Sequence, residues 1–167
     1  MIRILVSACL LGDNVRYNGT DAASSDTVLG QWCAEGRVVR FCPEVAGGLG
    51  VPRPPAEIVG PRGGAAVLDG TARLTTGAGA DVTNAFVSGA QLALEVARAQ
   101  HVRVAVLKEG SPSCGTHRIN DGTFTGRKIE GDGVTAALLE RHGIRVFSEQ
   151  QVHLAARYVD GLERTTL

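Results

Sequence analysis

The sequence predicts a single α/β domain in which a largely parallel sheet is flanked by helices in Rossmann-like layers, with a small β-hairpin insertion. Short apolar runs rich in β-branched residues alternate with segments of helical periodicity, which is the pattern of such a sheet. The chain has 167 residues, of which 44% are apolar, and is long enough to bury one substantial core. We therefore expect one domain over residues 1–167.

Four apolar segments are predicted to form the strands of this sheet. They are Ile2–Val6, Arg37–Phe41, His101–Leu107 and Ile144–Phe147. The third, HVRVAVL, alternates with period two and then becomes continuously apolar, as expected for a strand buried in a parallel sheet. The fourth follows Gly143, a residue type that commonly ends a helix. The strands are therefore expected to be joined by helical connections.

Three amphipathic segments are predicted to form helices. They are Asp81–Gln100, Val134–His142 and Gln150–Tyr158. In the first, apolar residues recur at three- and four-residue spacing, and Asp81 is expected to be its N-cap. A different pattern occurs in Val51–Thr76, which begins with several prolines. There we expect a loop, followed by a β-hairpin whose strands are Ala65–Leu68 and Thr71–Leu74, around Asp69-Gly70.

Charge balance and apolar patterning limit the partners that we expect. Lys+Arg and Asp+Glu both number 17 and the pI is about 6.9, so the chain lacks the basic excess that favours nucleic acid. Aromatic residues make up only 4% of the chain, which leaves few platforms for stacking bases. No apolar run approaches the roughly 20 residues that span a bilayer. We expect a cytoplasmic protein with a small-molecule partner and no membrane partner, and the oligomeric state stays open.

Three of the four cysteines follow predicted strands. Cys9 comes after the first, Cys42 after the second and Cys114 after the third. Because the carboxyl ends of parallel strands share one edge, we expect these thiols to meet in one crevice. Thiols stay reduced in the cytoplasm, which favours ligands or nucleophiles over disulfides. Cys33, near the end of a predicted helix, is expected to be a packed thiol outside the site.

Three thiolates are a suitable ligand set for a soft metal. A zinc ion with an open position for water is one possibility, and it would make the protein a hydrolase with Glu44 as general base. An iron–sulfur cluster with one iron free of protein ligands is the other. A cluster-bearing sensor or carrier, without catalysis, is a third hypothesis. The residues alone leave these open.

The motifs around these cysteines resemble a family, once known only as a domain of unknown function, that includes the thiouracil desulfidases. The match runs from about residue 3 to residue 150, with the motifs in the same order. The motifs are SACLLG (Ser7–Gly12), VRYNG (Val15–Gly19), FCPEVAGGLGVPRPPAEI (Phe41–Ile58), GADVTNAFVSGA (Gly79–Ala90) and LKEGSPSCG (Leu107–Gly115).

This resemblance implies a [4Fe-4S] cluster on Cys9, Cys42 and Cys114. The iron without a protein ligand would take the sulfur of a small thiolated pyrimidine, such as thiouracil, or of a related thioamide. The reaction is desulfidation, in which water replaces sulfur and hydrogen sulfide is released. Family catalytic residues fall on Glu44 and on a serine of the Ser-Pro-Ser-Cys segment, where Ser111 is preferred to Ser113.

Several residues near these motifs are candidates for substrate binding. Tyr17 is placed to stack on a pyrimidine, and glycines after Cys42 allow close approach of the backbone to a bulky ligand. The candidates are Tyr17, Gly47, Gly48, Ser113 and His117. Arg53, between prolines, is expected to brace Glu57 or Glu44 by a charge-assisted hydrogen bond.

Overall fold

Strands and helices alternate along most of the chain. The computed structural model describes residues 1–165. In chain order the elements are β1 (Arg3–Ser7), α1 (Thr27–Ala34), β2 (Val38–Phe41), α2 (Pro43–Ala46), β3 (Ala56–Ile58), α3 (Gly64–Leu68), β4 (Leu74–Thr76), α4 (Thr83–Ala99), β5 (Val102–Leu107), β6 (Arg118–Asn120), β7 (Lys128–Glu130), α5 (Val134–Arg141), β8 (Arg145–Ser148) and α6 (Val152–Thr165). Two short 3-10 turns, Ala8–Leu11 and Glu149–Gln151, follow β1 and β8.

The central sheet has four strands, all parallel, in the order β2-β1-β5-β8. Leu5 of β1 pairs with Val39 of β2 and with Ala105 of β5, and Val106 of β5 pairs with Phe147 of β8. The two central strands are almost wholly buried, which explains their continuous apolar runs. All four predicted strands are present, and the predicted α/β class with a largely parallel sheet is confirmed.

Helices cover both faces of this sheet. On one face, Trp32 of α1 and Val159 of α6 pack in a cluster with Ile4. On the other face, Leu94 of α4 and Leu139 of α5 pack against the same strands. Burial of one aliphatic side chain of this size contributes about 1.5–3 kcal/mol, so these two layers are the main source of the sheet's stability. Among residues 1–165, no helix is long and apolar enough to cross a membrane.

The small antiparallel pair is present, but the predicted bounds of the β-hairpin are wrong, because Ala65–Leu68 is not a strand and Thr71–Leu74 overlaps β4 only at Leu74. Ala65–Leu68 forms most of α3, which ends at Leu68, and Gly70 then turns the chain with a φ of +77° while its N–H donates to the carbonyl of Val67 (3.1 Å). The Asp-Gly pair therefore stops a helix instead of turning a hairpin. A helix forms because Val67 is buried against Leu74 and Phe86, while alanine supports the turn around it. β4 pairs antiparallel with β3, which precedes α3.

The N-cap prediction for the long helix is also wrong by one residue. α4 begins at Thr83, and its N-cap is Val82. Asp81 still supports the helix start, because its carboxylate accepts the N–H of Thr83 (2.9 Å). Two further elements, α2 and the antiparallel β6–β7 pair, have no counterpart in the sequence-based prediction.

Glycines allow α2 to approach α4 closely. A Cβ on Gly89 of α4 would lie 2.0 Å from the carbonyl oxygen of Pro43. A Cβ on Gly47, which caps α2, would lie 2.1 Å from the carbonyl oxygen of Ala85. Both distances are far shorter than van der Waals contact, so the two backbones fit together only without side chains. This contact fixes the position of α2 at the end of β2.

We expect Gly89→Ala to lower the free energy of unfolding by at least about 1–3 kcal/mol, since the added methyl group forces α2 away from α4. Gly30 offers a matched control, because it lies on the exposed side of α1 with nothing within 4 Å of an added Cβ. Gly30→Ala is expected to raise the free energy of unfolding by about 0.5–1 kcal/mol. Urea denaturation of the two variants measures both changes. Equal stabilities would contradict the close helix contact.

Candidate active site

A cavity of about 530 Å³ opens at the carboxyl edge of the central sheet. It lies between β1 and β5, where the chain connections leave in opposite directions along the sheet. β1 leads through α1 to its neighbour β2, and β5 leads through α5 to its neighbour β8 on the other side. In open α/β sheets, ligands bind in the crevice at such a point. Residues that follow all four strands line the cavity, among them Cys9, Cys42, Cys114 and Glu149.

The three cysteines that follow strands all line this cavity. Cys9 is buried in the 3-10 turn directly after β1. Cys42 precedes α2, and Pro43 at the first helical position holds it in an extended conformation. Cys114 is buried in the loop after β5. Cys33 lies on the solvent side of α1 and is exposed, so the prediction of a packed thiol is wrong.

The surroundings of the three thiols disfavour their ionised form. Burial, and then the charge of nearby Cys42, raise the pKa of Cys9 to about 11. Burial also raises the pKa of Cys42. Burial and then Glu44 raise the pKa of Cys114, the other two cysteines add to this, and a hydrogen bond from Ser7 opposes it. Because the three sulfurs act on one another, a cationic, thiophilic group bound among them would offset the cost of three thiolates.

The spacing of the donors bears on the choice between zinc and a cluster. In the described part of the chain, residues 1–165, no three His, Cys, Asp or Glu side chains are grouped closely enough to hold one metal ion. Zinc requires its sulfur ligands at about 2.3 Å from a single point. The zinc hypothesis therefore requires the cysteine side chains to move together, whereas the cysteines of an iron–sulfur cubane bind separate irons. The residues present fit a cluster.

Glu44 lies in the first turn of α2, and both of its carboxylate oxygens are hydrogen-bonded. Oε1 accepts from Nε of Arg53 (3.2 Å), and Oε2 accepts from the hydroxyl of Ser111 (3.2 Å). Of the two partners that the sequence suggests for Arg53, the structure selects Glu44. Glu57 instead is buried beside the loop after β6, where it accepts the N–H of Gly122 (3.0 Å). Glu44 is thus held in one orientation at the cavity wall.

Ser111 and Ser113 have different surroundings although only Pro112 separates them. Ser111 lines the cavity, donates to Glu44 and accepts the N–H of Cys114 (3.1 Å). Ser113 is fully buried outside the cavity lining, and its hydroxyl is hydrogen-bonded to that of Thr135 (2.8 Å). The structure therefore does not place Ser113 where it would contact a substrate.

Residues 4–151 of the chain match the model of the 2-thiouracil desulfurase family. The chain belongs to this family. Among its relatives is the protein called uncharacterized protein YbbK of Bacillus subtilis (strain 168), which is 47% identical over 150 residues, or 90% of this chain and 97% of the relative. The solved structure of the [4Fe-4S]-dependent thiouracil desulfidase TudS is 49% identical with a TM-score of 0.88, and the match covers 96% of this chain and 99% of that one. The resemblance inferred from the sequence motifs is confirmed.

In this member of the desulfurase family, the remaining substrate-binding candidates divide into two groups. Tyr17 lines the cavity and is partly exposed. Gly47, Gly48 and His117 lie outside the lining. Gly47 is packed against α4, and Gly48 turns the chain after α2 with a φ of +98°. The exposed ring of His117 lies beside Glu109, with 3.2 Å between Nδ1 and Oε2. For these three residues, contact with a substrate stays a prediction.

Several charged residues of the site have no counterpart in the sequence-based prediction. Lys108 lines the cavity and pairs with Glu149 (2.8 Å). Glu149 follows β8, so applying the strand-end argument to the fourth strand would have found it. The other cations of the lining lie in irregular or short segments that carry no periodic signal. They include Arg16 and Lys128.

Glu109 organises the loop that carries Ser111 and Cys114. Its Oε1 accepts the backbone N–H groups of residues 116–118 (2.8–3.0 Å). Burial alone would raise the pKa of Glu109, but hydrogen bonds from the hydroxyl of Thr116 and from these N–H groups lower it to about 2. Because Glu109 stays ionised at neutral pH, the loop is held in the conformation that turns Ser111 and Cys114 towards the cavity.

Proposed function

We propose that the protein is a [4Fe-4S]-dependent desulfidase that removes sulfur from a thiolated nucleobase such as thiouracil. The observation that carries the proposal is one cavity lined by three cysteines of separate strands and by a hydrogen-bonded carboxylate, Glu44. Membership of the 2-thiouracil desulfurase family and the likeness to a [4Fe-4S]-dependent thiouracil desulfidase support it. The cavity volume is within the range usual for small-molecule sites, about 300–1,000 Å³.

Cys9, Cys42 and Cys114 would hold the cluster. When bound, the cluster would supply a thiophilic Lewis acid for the sulfur of the substrate. This ligand set leaves Glu44 outside the cluster ligands, and each of its oxygens, which accept from Arg53 and Ser111, keeps a lone pair for the attacking water. The cysteines are expected to need the reducing conditions of the cytoplasm, where we place the protein.

The reaction replaces one substituent of the pyrimidine without net redox change. Water attacks the ring carbon that carries sulfur, a C–O bond forms, and the C–S bond breaks with its electron pair leaving on sulfur. Glu44 takes a proton from the attacking water, because water alone is a weak nucleophile at neutral pH. The two protons of water end on sulfur, which leaves as hydrogen sulfide. Ser111 holds Glu44 in place, and Tyr17 borders the space for the ring.

Anaerobic reconstitution with iron and sulfide, followed by assay with 2- and 4-thiouracil, tests this function. We expect a brown protein with about four irons per chain that converts the thiolated base to uracil and releases hydrogen sulfide in equal amount. A colourless protein that is active with zinc would support the hydrolase alternative instead, because Zn²⁺ is d¹⁰. A stable cluster without turnover of any thiolated pyrimidine would favour a sensor or carrier.

Ser111→Ala is expected to lower turnover per cluster by about 10-fold to 100-fold, because it removes a hydrogen bond to the charged carboxylate of Glu44. Ser113→Ala is the matched control in the same loop. It is expected to act mainly on stability, with a loss of about 1–3 kcal/mol, because it leaves the buried hydroxyl of Thr135 unpaired. Turnover per cluster and urea denaturation of both variants give the two readouts. The reverse pattern would assign the catalytic role to Ser113.

A further inference from the structure

Arg53 joins two walls of the cavity through its guanidinium group. Nε donates to Oε1 of Glu44 (3.2 Å), one terminal nitrogen donates to the carbonyl of Gly50 (2.9 Å), and the other donates to the carbonyl of Val15 (2.8 Å). The backbone N–H of Arg53 donates to the carbonyl of Tyr17 (2.8 Å). The side chain of Arg53 is only 7% exposed. One residue thus contacts both the carboxylate of α2 and the segment that carries Tyr17.

This arrangement requires arginine. A buried ion pair is favourable only if nearly all of its hydrogen-bonding groups are satisfied, since removing charges from water is costly. The guanidinium group of Arg53 has a hydrogen-bond partner for each of its three nitrogens. Its planar, rigid arrangement of N–H donors allows it to reach partners in three directions. A lysine ammonium has one nitrogen and cannot reach Glu44, Gly50 and Val15 with the same geometry.

The orientation of Glu44 depends on both of its partners. Ser111 holds Oε2 from the loop after β5, and Arg53 holds Oε1 from the opposite side. A general base must lie within hydrogen-bond reach of the water that it deprotonates, and displacement of a reacting group by about 1 Å can lower the rate 10²-fold. Without Arg53, Glu44 would keep a single partner and lose this orientation.

We propose that Arg53 is a positioning residue that orients Glu44 for proton removal and joins it to the segment Val15–Tyr17, which faces the substrate. This inference rests on the desulfidase function proposed above. Arg53 does not touch the reacting atoms and acts through Glu44. Substitution of Arg53 is therefore expected to lower the rate only when residue 44 is glutamate.

A double-mutant cycle tests the action through Glu44. Arg53→Met is expected to lower kcat by about 10²-fold with unchanged iron content, and Arg53→Lys, which keeps the charge without the fork, is expected to recover only part of the loss. In the Glu44→Gln background, Arg53→Met should have little further effect on kcat. Arg141→Met is the control, because Arg141 forms an exposed ion pair with Asp69 (2.9 Å) outside the cavity lining. It should leave kcat unchanged.

Three results of the activity and iron measurements would overturn the inference. They are a near-parental kcat for Arg53→Met, an equal loss in both backgrounds, which indicates a general structural role, and loss of iron from Arg53→Met. Hydrogen exchange of the apoproteins gives a readout that is independent of activity. The amides of Arg16 and Gly19, which are hydrogen-bonded within the turn after Val15, should exchange faster in Arg53→Met. Unchanged exchange would refute the link to this segment even if thiouracil proves not to be a substrate.

Discussion

Replacing Glu44 by glutamine is expected to lower the anaerobic desulfidation rate per assembled cluster by about 10²–10⁴-fold, the usual contribution of a positioned general base. Glutamine keeps the shape of the side chain and one of the two acceptor oxygens, but it cannot take a proton from water. The measurement is initial rate of uracil formation at saturating thiouracil, divided by the iron content of the same sample.

Cluster content separates the possible roles of Glu44. We expect Glu44→Gln to bind as much iron as the parent protein, because both carboxylate oxygens are engaged by Arg53 and Ser111. Glu95→Gln is the control, since Glu95 is exposed on α4. Near-parental turnover of Glu44→Gln would remove Glu44 from the mechanism. Loss of iron from this variant would make it a ligand of the cluster.

Alanine at any one of Cys9, Cys42 and Cys114 is expected to abolish stable cluster binding. Each thiolate would bind a separate iron, so each loss leaves a second iron without a protein ligand. Cys33→Ala is the matched control, because Cys33 is exposed on α1 outside the cavity lining. It should keep parental iron content and turnover. Iron and sulfide analysis after identical anaerobic reconstitution gives the comparison.

Two outcomes would contradict the ligand assignment. Loss of iron from the Cys33→Ala variant would mean that Cys33 is also a ligand of the cluster. A variant of one of the three cavity cysteines that retains parental iron and turnover would exclude that residue from the ligand set. Circular dichroism of each apoprotein separates ligand loss from unfolding, since a folded chain that binds no iron has lost only the ligand.

The parts of the fold that the sequence predicts are those where local pattern and tertiary environment agree. β5 is buried on both faces of the sheet. Such a strand needs a continuous run of apolar residues, and that run identifies it in the sequence. The order of strands and helices then places Cys9, Cys42 and Cys114 at strand ends, and parallel pairing places strand ends at one edge. For this reason the sequence alone predicts that three cysteines far apart in the chain lie in one crevice.

The parts that sequence reasoning misses depend on contacts between distant segments. Ala65–Leu68 becomes a helix because its Val67 packs on a core that includes Phe86, which no local pattern reveals. The β6–β7 pair is short and polar, and Glu57, far away in sequence, holds the loop within it. Which of the two serines near Cys114 faces the cavity depends on loop geometry that residue spacing does not specify.

The three proposed cluster ligands follow three different strands, which bears on when a cofactor can bind. Cys9 and Cys114 follow β1 and β5, which pair directly, and Cys42 follows β2 on the other side of β1. In the unfolded chain these thiols are far apart, so the binding site exists only after the sheet has formed. Binding of one cofactor by all three cysteines is therefore expected to be coupled to formation of the sheet. A cofactor bound by all three would join three strand ends, and the free energy of unfolding would rise with the logarithm of its affinity for the folded chain.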